Sequence, residues 1–460
     1  MSISIKLTEL TDNHWTTIRD RLWFKPKANF YRRNQFSTEP DVKPIKLFYK
    51  QDDEVLIPFT FANCLLGKFL VSNTEFPKID LRFKVDLWEK QRSVVDEAAD
   101  QLNRYHTTTL WLPCGFGKTV ISAHLACRIN RMTVVVFKSK ILKKQWLDSF
   151  NTFTNAKTWI VGDQSMPDEP PDVIICMVLQ VYKIPELWMD SIGTLILDEV
   201  HELCTKEYSK GVMKIRPCYI IACTATPIKE NGAHTVLYNL CGTHNVHRLP
   251  DKSLLVYQFL TGIKFTMSVT KNGDPNWNGL CEEIAKCRIR NEMIVRLVHS
   301  FWKRKIIILT VRTDHREILY KMLADTESVA KLTKDKDTYS TSRVLIGTFS
   351  KIGTGFDEAT SCIDFDGRRI DMLIMVGSTK SKTRIIQALG RAERSDNPMV
   401  IDLVDDNGSI QRHWKVRRAI YNKRNAKIEV LTESQIETAG NGPKPTPPTI
   451  RPVFIINDGH

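Results

Sequence analysis

Two stretches well apart in the chain carry the residue types of phosphate chemistry. The first, WLPCGFGKTV at 111–120, leaves an apolar run, turns through Gly115 and Gly117, and sets Lys118 beside Thr119. Backbone N–H groups of such a turn, with the start of a following helix, attract phosphate. The two glycines permit positive φ and a close backbone approach. Lys118 suits the β- and γ-phosphates and Thr119 a Mg²⁺ ion. Pro113, Cys114 and Phe116 complete the loop. The strict spacing G-x-x-x-x-G-K-[ST] is not met, because Leu112 stands where its first glycine would. The second stretch, LILDEVH at 195–201, ends an apolar run in two carboxylates. Asp198 can hold Mg²⁺ through water, and Glu199 can polarise an attacking water. Alone, each stretch has a plainer reading, a glycine turn and a solvated strand end. Together they point to nucleoside-triphosphate hydrolysis.

Two more stretches extend the set. Cys223-Thr224-Ala225-Thr226-Pro227 follows another apolar run and by itself is a polar turn. Gln387-Ala388-Leu389-Gly390-Arg391-Ala392-Glu393-Arg394 places two arginines on one face if helical. Arginine suits a γ-phosphate in its transition state. The plainer reading is a solvated basic face.

These residues need elements to position them. Apolar runs at 107–112, 133–137, 172–177, 193–198 and 219–223 read as strands buried on both faces. The stretch KTVISAHLACRIN after the glycine turn fits a helix, with Val120, Ala123, His124 and Cys127 at helical spacing. Strands alternating with helices argue a parallel α/β sheet. The rhythm fades over 245–285, where KNGDPNWNG is turn-rich, and resumes with runs at 305–311, 343–349, 369–376 and 398–404. The expected organisation is therefore an accessory domain at 1–80, an α/β domain at 81–245, a connection at 246–285, a second α/β domain at 286–430, and a tail at 431–460. The tail's GNGPKPTPPT predicts partial disorder. The accessory stretch holds a basic-aromatic patch, Trp23 to Lys27 and Tyr31 to Arg33.

Composition narrows the class. The 460 residues allow about three domains of ordinary size. A 42% hydrophobic content suits cores. No apolar run of about 18 residues predicts a membrane helix. The stretch MSISIKLTELTDNHW lacks the apolar run of a signal peptide, so no secretory targeting is expected. The 11 cysteines form no C-x-x-C pair, and Cys281 and Cys287 lack partners at zinc spacing, so free thiols and no zinc are expected. A net charge of +14 favours a polyanion, nucleic acid before membrane.

With GxGKT, DEVH, TATP and QxxGRxxR in this order, residues 81–430 resemble superfamily 2 helicases and translocases. Finer features resemble the XPB-like branch. Within it the chain is most similar to the transcript-release helicases of large DNA viruses of poxvirus, iridovirus and asfarvirus kind. Leu87-Trp88-Glu89-Lys90-Gln91 matches the branch's L-x-x-x-Q block, which implies that Gln91 reads adenine through N6 and N7. Lys140-Ile141-Leu142-Lys143-Lys144-Gln145-Trp146 matches its L-x-x-Q-W block, which implies a face toward the nucleic-acid strand. Gly347-Thr348 and Gly353-Thr354-Gly355-Phe356-Asp357 resemble the fifth motif. There Thr354 replaces an acidic residue, Glu358-Ala359 replaces Ile-Pro, and 364–371 is inserted. Residues 49–66 resemble part of a substrate-facing N-terminal domain in the viral members.

The resemblance implies two tandem RecA-like parallel-sheet domains, α/β in class, with a small N-terminal accessory domain. It implies ATP and Mg²⁺ as ligands, ATP lying between the domains, and Arg391 and Arg394 reaching the γ-phosphate. Thr348 joins the helix-140 residues as a nucleic-acid contact. His201, Thr224, Thr226, Asp357 and Gln387 would couple nucleotide state to movement. The expected function is ATP-driven movement on DNA, single-stranded or duplex, in viral transcription or repair, alongside transcription machinery. An RNA helicase and a duplex translocase that does not unwind are the alternatives, and a binding module with a decayed ATPase is a third. The expected place is inside a host cell, in cytoplasm or nucleus, or with the virion.

Overall fold

The computed structural model describes residues 1–26, 44–67, 76–228, 232–333, 338–353 and 356–441. Tyr31 to Arg33, Thr354, Gly355 and residues 442–460 of the tail lie outside them. The chain forms two compact units. The first takes Met1–Asp251 together with Ile352–Thr360 and Ser381–Arg394. The second takes Lys252–Lys351, Ser361–Lys380 and Ser395–His460.

A seven-stranded, all-parallel sheet organises the first unit. Its strands run in the order Asn245–His247, Thr107–Trp111, Tyr219–Thr224, Thr194–Leu197, Thr133–Phe137, Val173–Met177 and Thr158–Ile160. Val134, Val135, Val136 and Phe137 are all fully buried, as a central strand covered on both faces requires. The strand Tyr219–Thr224 lies between the strand that feeds the glycine loop and the strand that ends at Asp198. Parallel pairing puts the carboxyl ends of all three on one edge, where open α/β sheets hold ligands. One face packs Leu110, Ile121, Phe137, Trp146 and Phe150 into a core.

The opposite face continues without a break into the front of the chain. Val134, Val136, Leu195 and Ile220 share a core with Met1, Ile5, Ile18, Leu22, Val55 and Ile57. The front segment has an antiparallel sheet of Ser2–Lys6, Glu54–Pro58 and Tyr49–Gln51, with the helices Asp12–Leu22 and Phe59–Leu66. Polar clamps fix it in place. Ser2 Oγ donates to Met213 O at 2.8 Å and Thr60 Oγ1 to Asn239 O at 2.7 Å. Asn239 Nδ2 donates to Arg21 O at 3.0 Å. The stretch expected as a small accessory domain at 1–80 thus shares the first unit's core.

The second unit holds another seven-stranded parallel sheet, ordered Val329–Lys331, Val344–Thr348, Ile306–Thr310, Met372–Met375, Met399–Asp406, Leu255–Lys264 and Lys427–Thr432. Two tandem RecA-like α/β sheets are therefore the architecture. Residues 246–285 depart from the expected connection. They supply strands to both sheets, Asn245–His247 and Leu255–Lys264, and the helix Trp277–Lys286. The stretch LVYQFLTGIK mixes polar and apolar residues because its strand, next to the sheet edge, is only partly covered. The expected tail likewise begins with the end of an edge strand, Lys427–Thr432, and the short helix Ile436–Ala439.

Candidate active site

The glycine loop sits between the strand Thr107–Trp111 and the helix Lys118–Ile129. Gly115 has φ 81° and Gly117 φ 98°, left-handed values that glycine adopts without strain. Gly117 caps the helix, leaving the first N–H groups of Lys118–Ile129 at the sheet edge. Lys118 Nζ donates to Leu112 O at 3.2 Å and Pro113 O at 3.3 Å, so the ammonium curls over its own loop. Thr119 is half-buried in the first helical turn. These are the parts a triphosphate and its Mg²⁺ need, and they fit them.

Gln91 is buried, 3% exposed, at the start of the helix Glu89–Tyr105. Its Nε2 donates to Phe116 O at 3.1 Å and its Oε1 accepts from Trp88 N at 3.1 Å. A Cβ at Gly117 would lie 2.3 Å from Gln91 Nε2, so a side chain there would also have to displace that amide. The amide expected to meet adenine braces the phosphate loop in this structure.

Asp198 and Glu199 follow the strand Thr194–Leu197. Asp198 Oδ2 accepts from Trp146 Nε1 at 2.8 Å, and Oδ1 accepts from the Glu199 backbone at 2.9 Å. Burial and the neighbouring Glu199 charge push the Asp198 carboxyl up to about 6, against the pull of Trp146 and Lys118. Glu199 holds a left-handed backbone, φ 46° and ψ 48°, which a non-glycine residue adopts at some strain. Burial pushes its carboxyl up as well, but the His201 hydrogen bond and the charges of His201, Lys118 and Arg391 outweigh it and hold it below the ordinary range. One carboxyl is raised and the other lowered, the separation expected when adjacent groups take different roles.

His201 Nδ1 lies 3.2 Å from Glu199 Oε2 and 2.9 Å from Thr224 Oγ1. Thr224 Oγ1 also accepts from Thr226 N at 3.0 Å. A polar chain therefore joins the DEVH and TATP stretches. His201 Nε2 and Thr226 Oγ1 are buried without a partner among the described residues.

The helix Lys382–Ala392 belongs to the same unit. Gly390 lets it close on the phosphate loop, since a Cβ there would meet Cys114 Cβ at 2.4 Å. A Cβ at Gly115 would lie 3.1 Å from Arg394 Cγ. Arg391 is buried, with Nη1 donating to Phe356 O. Burial, then the Arg394 charge, lowers its guanidinium to about 10. Arg394 Nη1 donates to Asp357 Oδ2 at 2.7 Å. Gln387 is buried on the same helix.

The expected nucleic-acid contacts divide. Lys140 and Lys144 are exposed at the start of the helix Lys140–Phe153, and Gln145 is half-buried. Lys143 pairs with Asp163 at 2.7 Å, its side chain 13% exposed. Trp146 does not face solvent at all. It is fully buried and bonded to Asp198, a correction to its expected place on a strand-facing surface. Leu142, Trp146 and Phe150, all buried, make an i, i+4, i+8 stripe that marks the inward face and was legible in the sequence. In the second unit Thr348 is also buried, its Oγ1 3.1 Å from Ser350 Oγ, so its hydroxyl is not an open surface contact. Sequence reasoning missed the Phe356 carbonyl, since a backbone acceptor leaves no mark in side-chain types.

Residues 84–229 match the family described as Type III restriction enzyme, res subunit, a superfamily 2 helicase-family domain. "Putative helicase 161L" of Invertebrate iridescent virus 6 is 28% identical over 403 residues, 81% of this chain and 88% of that protein. A protein of Acanthamoeba polyphaga mimivirus named "Putative ATP-dependent RNA helicase" is 25% identical, covering 78% of this chain and 72% of its own length. Among solved structures, S. cerevisiae Dbp5 bound to RNA and ADP BeF3 superposes with a TM-score of 0.52 at 14% identity, over 75% of this chain and 91% of Dbp5. Residues 84–229 are thus similar to a helicase-family domain, and the chain shares the tandem α/β fold of that structure.

Proposed function

We propose that the chain is a nucleic-acid-stimulated ATPase that converts ATP hydrolysis into movement along DNA, serving viral transcript release or repair. One observation carries the reading. The glycine loop with Lys118, the strand end with Asp198 and Glu199, and the helix with Arg391 come together, and His201, then Lys118 and Arg391, hold the Glu199 carboxyl below the ordinary range. A carboxylate so held can accept the proton of an attacking water.

Each residue then has a role. Gly115, Gly117 and the helix start bind the phosphates, and Lys118 leaves its loop carbonyls for the β/γ-phosphates. Thr119 and Asp198 hold Mg²⁺, which supplies charge neutralisation on the phosphate oxygens. Glu199 orients and deprotonates water. Arg391 and Arg394 offset charge on the γ-phosphate, worth about 10²–10³ in rate for one well-placed donor. His201, Thr224 and Thr226 report the γ-phosphate's presence along their hydrogen-bond chain. Lys140 and Lys144 contact the strand's phosphates.

The deciding experiment is ATP turnover with single-stranded DNA, duplex DNA and RNA at one salt concentration. Stimulation by DNA above RNA supports the reading. The mimivirus relative's name favours the alternative, and stimulation by RNA alone would replace a DNA motor with an RNA helicase. No turnover with any of them sinks both.

A further inference from the structure

The helix Lys140–Phe153 has two faces with different company. Outward it shows Lys140 and Lys144 to solvent, one turn apart. Inward it seats Trp146, fully buried, with Phe150 stacked at 5.9 Å between ring centroids. The indole Nε1–H is the one side-chain group among the described residues that hydrogen-bonds Asp198. The carboxylate's other hydrogen bond is to the adjacent backbone N–H, which moves with the strand.

We infer that Trp146 is a positioning residue for Asp198, and that the helix Lys140–Phe153 is the lever through which a polyanion on Lys140 and Lys144 acts on that carboxylate. This rests on the ATPase reading above. The indole offers a single donor and no acceptor, so it can only fix the carboxylate from one side. A donor–carboxylate bond is charge-assisted and depends on geometry. Core packing leaves the ring no freedom of its own, so a tilt of the helix is passed to Oδ2 rather than absorbed by a rotamer change. The lone pairs of Asp198 not taken by Trp146 and the Glu199 backbone N–H are the ones that would be left to hold Mg²⁺, in an orientation set by the helix. Phosphates drawn to the outer lysines therefore bear on the Mg²⁺ carboxylate without touching it.

The test uses the full chain as wild type, Trp146→Phe and Lys140→Ala/Lys144→Ala. Trp146→Phe keeps a ring and removes the N–H. It should lower kcat about tenfold, the effect of losing a hydrogen bond to a charged group, and raise the Mg²⁺ concentration for half-maximal turnover several-fold. The KM for ATP at saturating Mg²⁺ should stay within about twofold. A second readout needs no nucleotide. The indole ¹⁵N–¹H resonance of Trp146, assigned by its absence from Trp146→Phe, should move when a thymidine oligonucleotide binds, and should not move in the lysine variant. If phenylalanine unfolds the chain, benzothienylalanine at position 146 keeps the ring's size with sulfur in place of N–H, and the same Mg²⁺ shift is expected. An unchanged Mg²⁺ dependence overturns the positioning role. A Trp146 resonance that ignores the oligonucleotide overturns the lever. A wild type that hydrolyses ATP with no stimulation by any nucleic acid would instead sink the functional reading and the lever with it, while the Mg²⁺ shift would still decide the role of Trp146.

Discussion

The two sheets share a parallel, seven-stranded plan and treat their buried carboxylates in opposite ways. In the second unit Asp402 is closed off by a two-pronged bond from Arg417, 2.7 and 2.8 Å, and by Tyr421 Oη at 2.7 Å. Asp405 accepts from Thr261 Oγ1 at 2.7 Å and Arg290 Nε at 2.8 Å. The four groups among these that carry charge are matched in pairs, Asp402 with Arg417 and Asp405 with Arg290. In the first unit Asp198 is pushed up in pKa, Glu199 sits in a strained backbone, and Lys118 rests on loop carbonyls. A buried charge that is matched serves the fold. One left with weak or borrowed partners is available to a ligand.

The largest effect that sharpens this contrast is Glu199→Gln. The amide keeps the shape and cannot take a proton, so steady-state ATP turnover should fall about 10²–10⁴-fold. Labelled ATP should still bind. Retained turnover would make Glu199 an ordinary strand end and erase the contrast.

Arg417→Ala should act on the other side of it. Leaving Asp402 buried without its partner costs about 3–5 kcal/mol, read as a lower urea midpoint for the chain. Lys118→Ala, by comparison, should shift unfolding by less than about 1 kcal/mol while abolishing turnover. Equal destabilisation by both would show that the first unit's charges are structural too.

The pH dependence is a smaller effect. Because the Asp198 carboxyl is raised to about 6, its ionisation costs the folded chain. Its contribution to stability is full below the unfolded value of about 3.9 and is lost as pH rises through about 6. Asp198→Asn should remove that slope from thermal melts taken between about pH 4 and 7. In the wild type, turnover at limiting Mg²⁺ should drop as pH falls through about 6, since the protonated acid cannot hold the ion. A flat profile across that range would place Asp198 on the matched side of the comparison.

The smallest effect concerns the surface. Lys140→Ala/Lys144→Ala should flatten the salt dependence of single-strand binding by about 0.7 in log–log slope per lost contact. Arg391→Ala should leave that slope alone and stop hydrolysis. The reverse pattern would move Arg391 to the nucleic-acid surface.

Much of this was open to reading from residue order. Fully buried parallel strands are written as apolar runs, so 133–137 and 219–223 stand out, and Gly-x-Gly-Lys-Thr after such a run locates the phosphate loop. Leu255–Lys264 was not legible, because a partly covered strand admits glutamine, threonine and lysine and loses its signature. Trp146 misled for another reason. A motif names a segment, and only the helical stripe says which of its residues turn inward. Nor can order along the chain show that Ile352–Thr360 and Ser381–Arg394 pack with the first unit. That depends on Gly390 admitting Cys114, a contact far apart in sequence.

The core shared by the front segment and the first sheet has a consequence for protein engineering. Modular parts can be exchanged when their seams are polar. Here the seam is Ile5, Ile18, Val55 and Ile57 against Val134, Val136 and Leu195. A chain cut at residue 81 would uncover that apolar face and should precipitate, and a front segment grafted from a relative would fit only if the sheet face beneath it were transplanted as well.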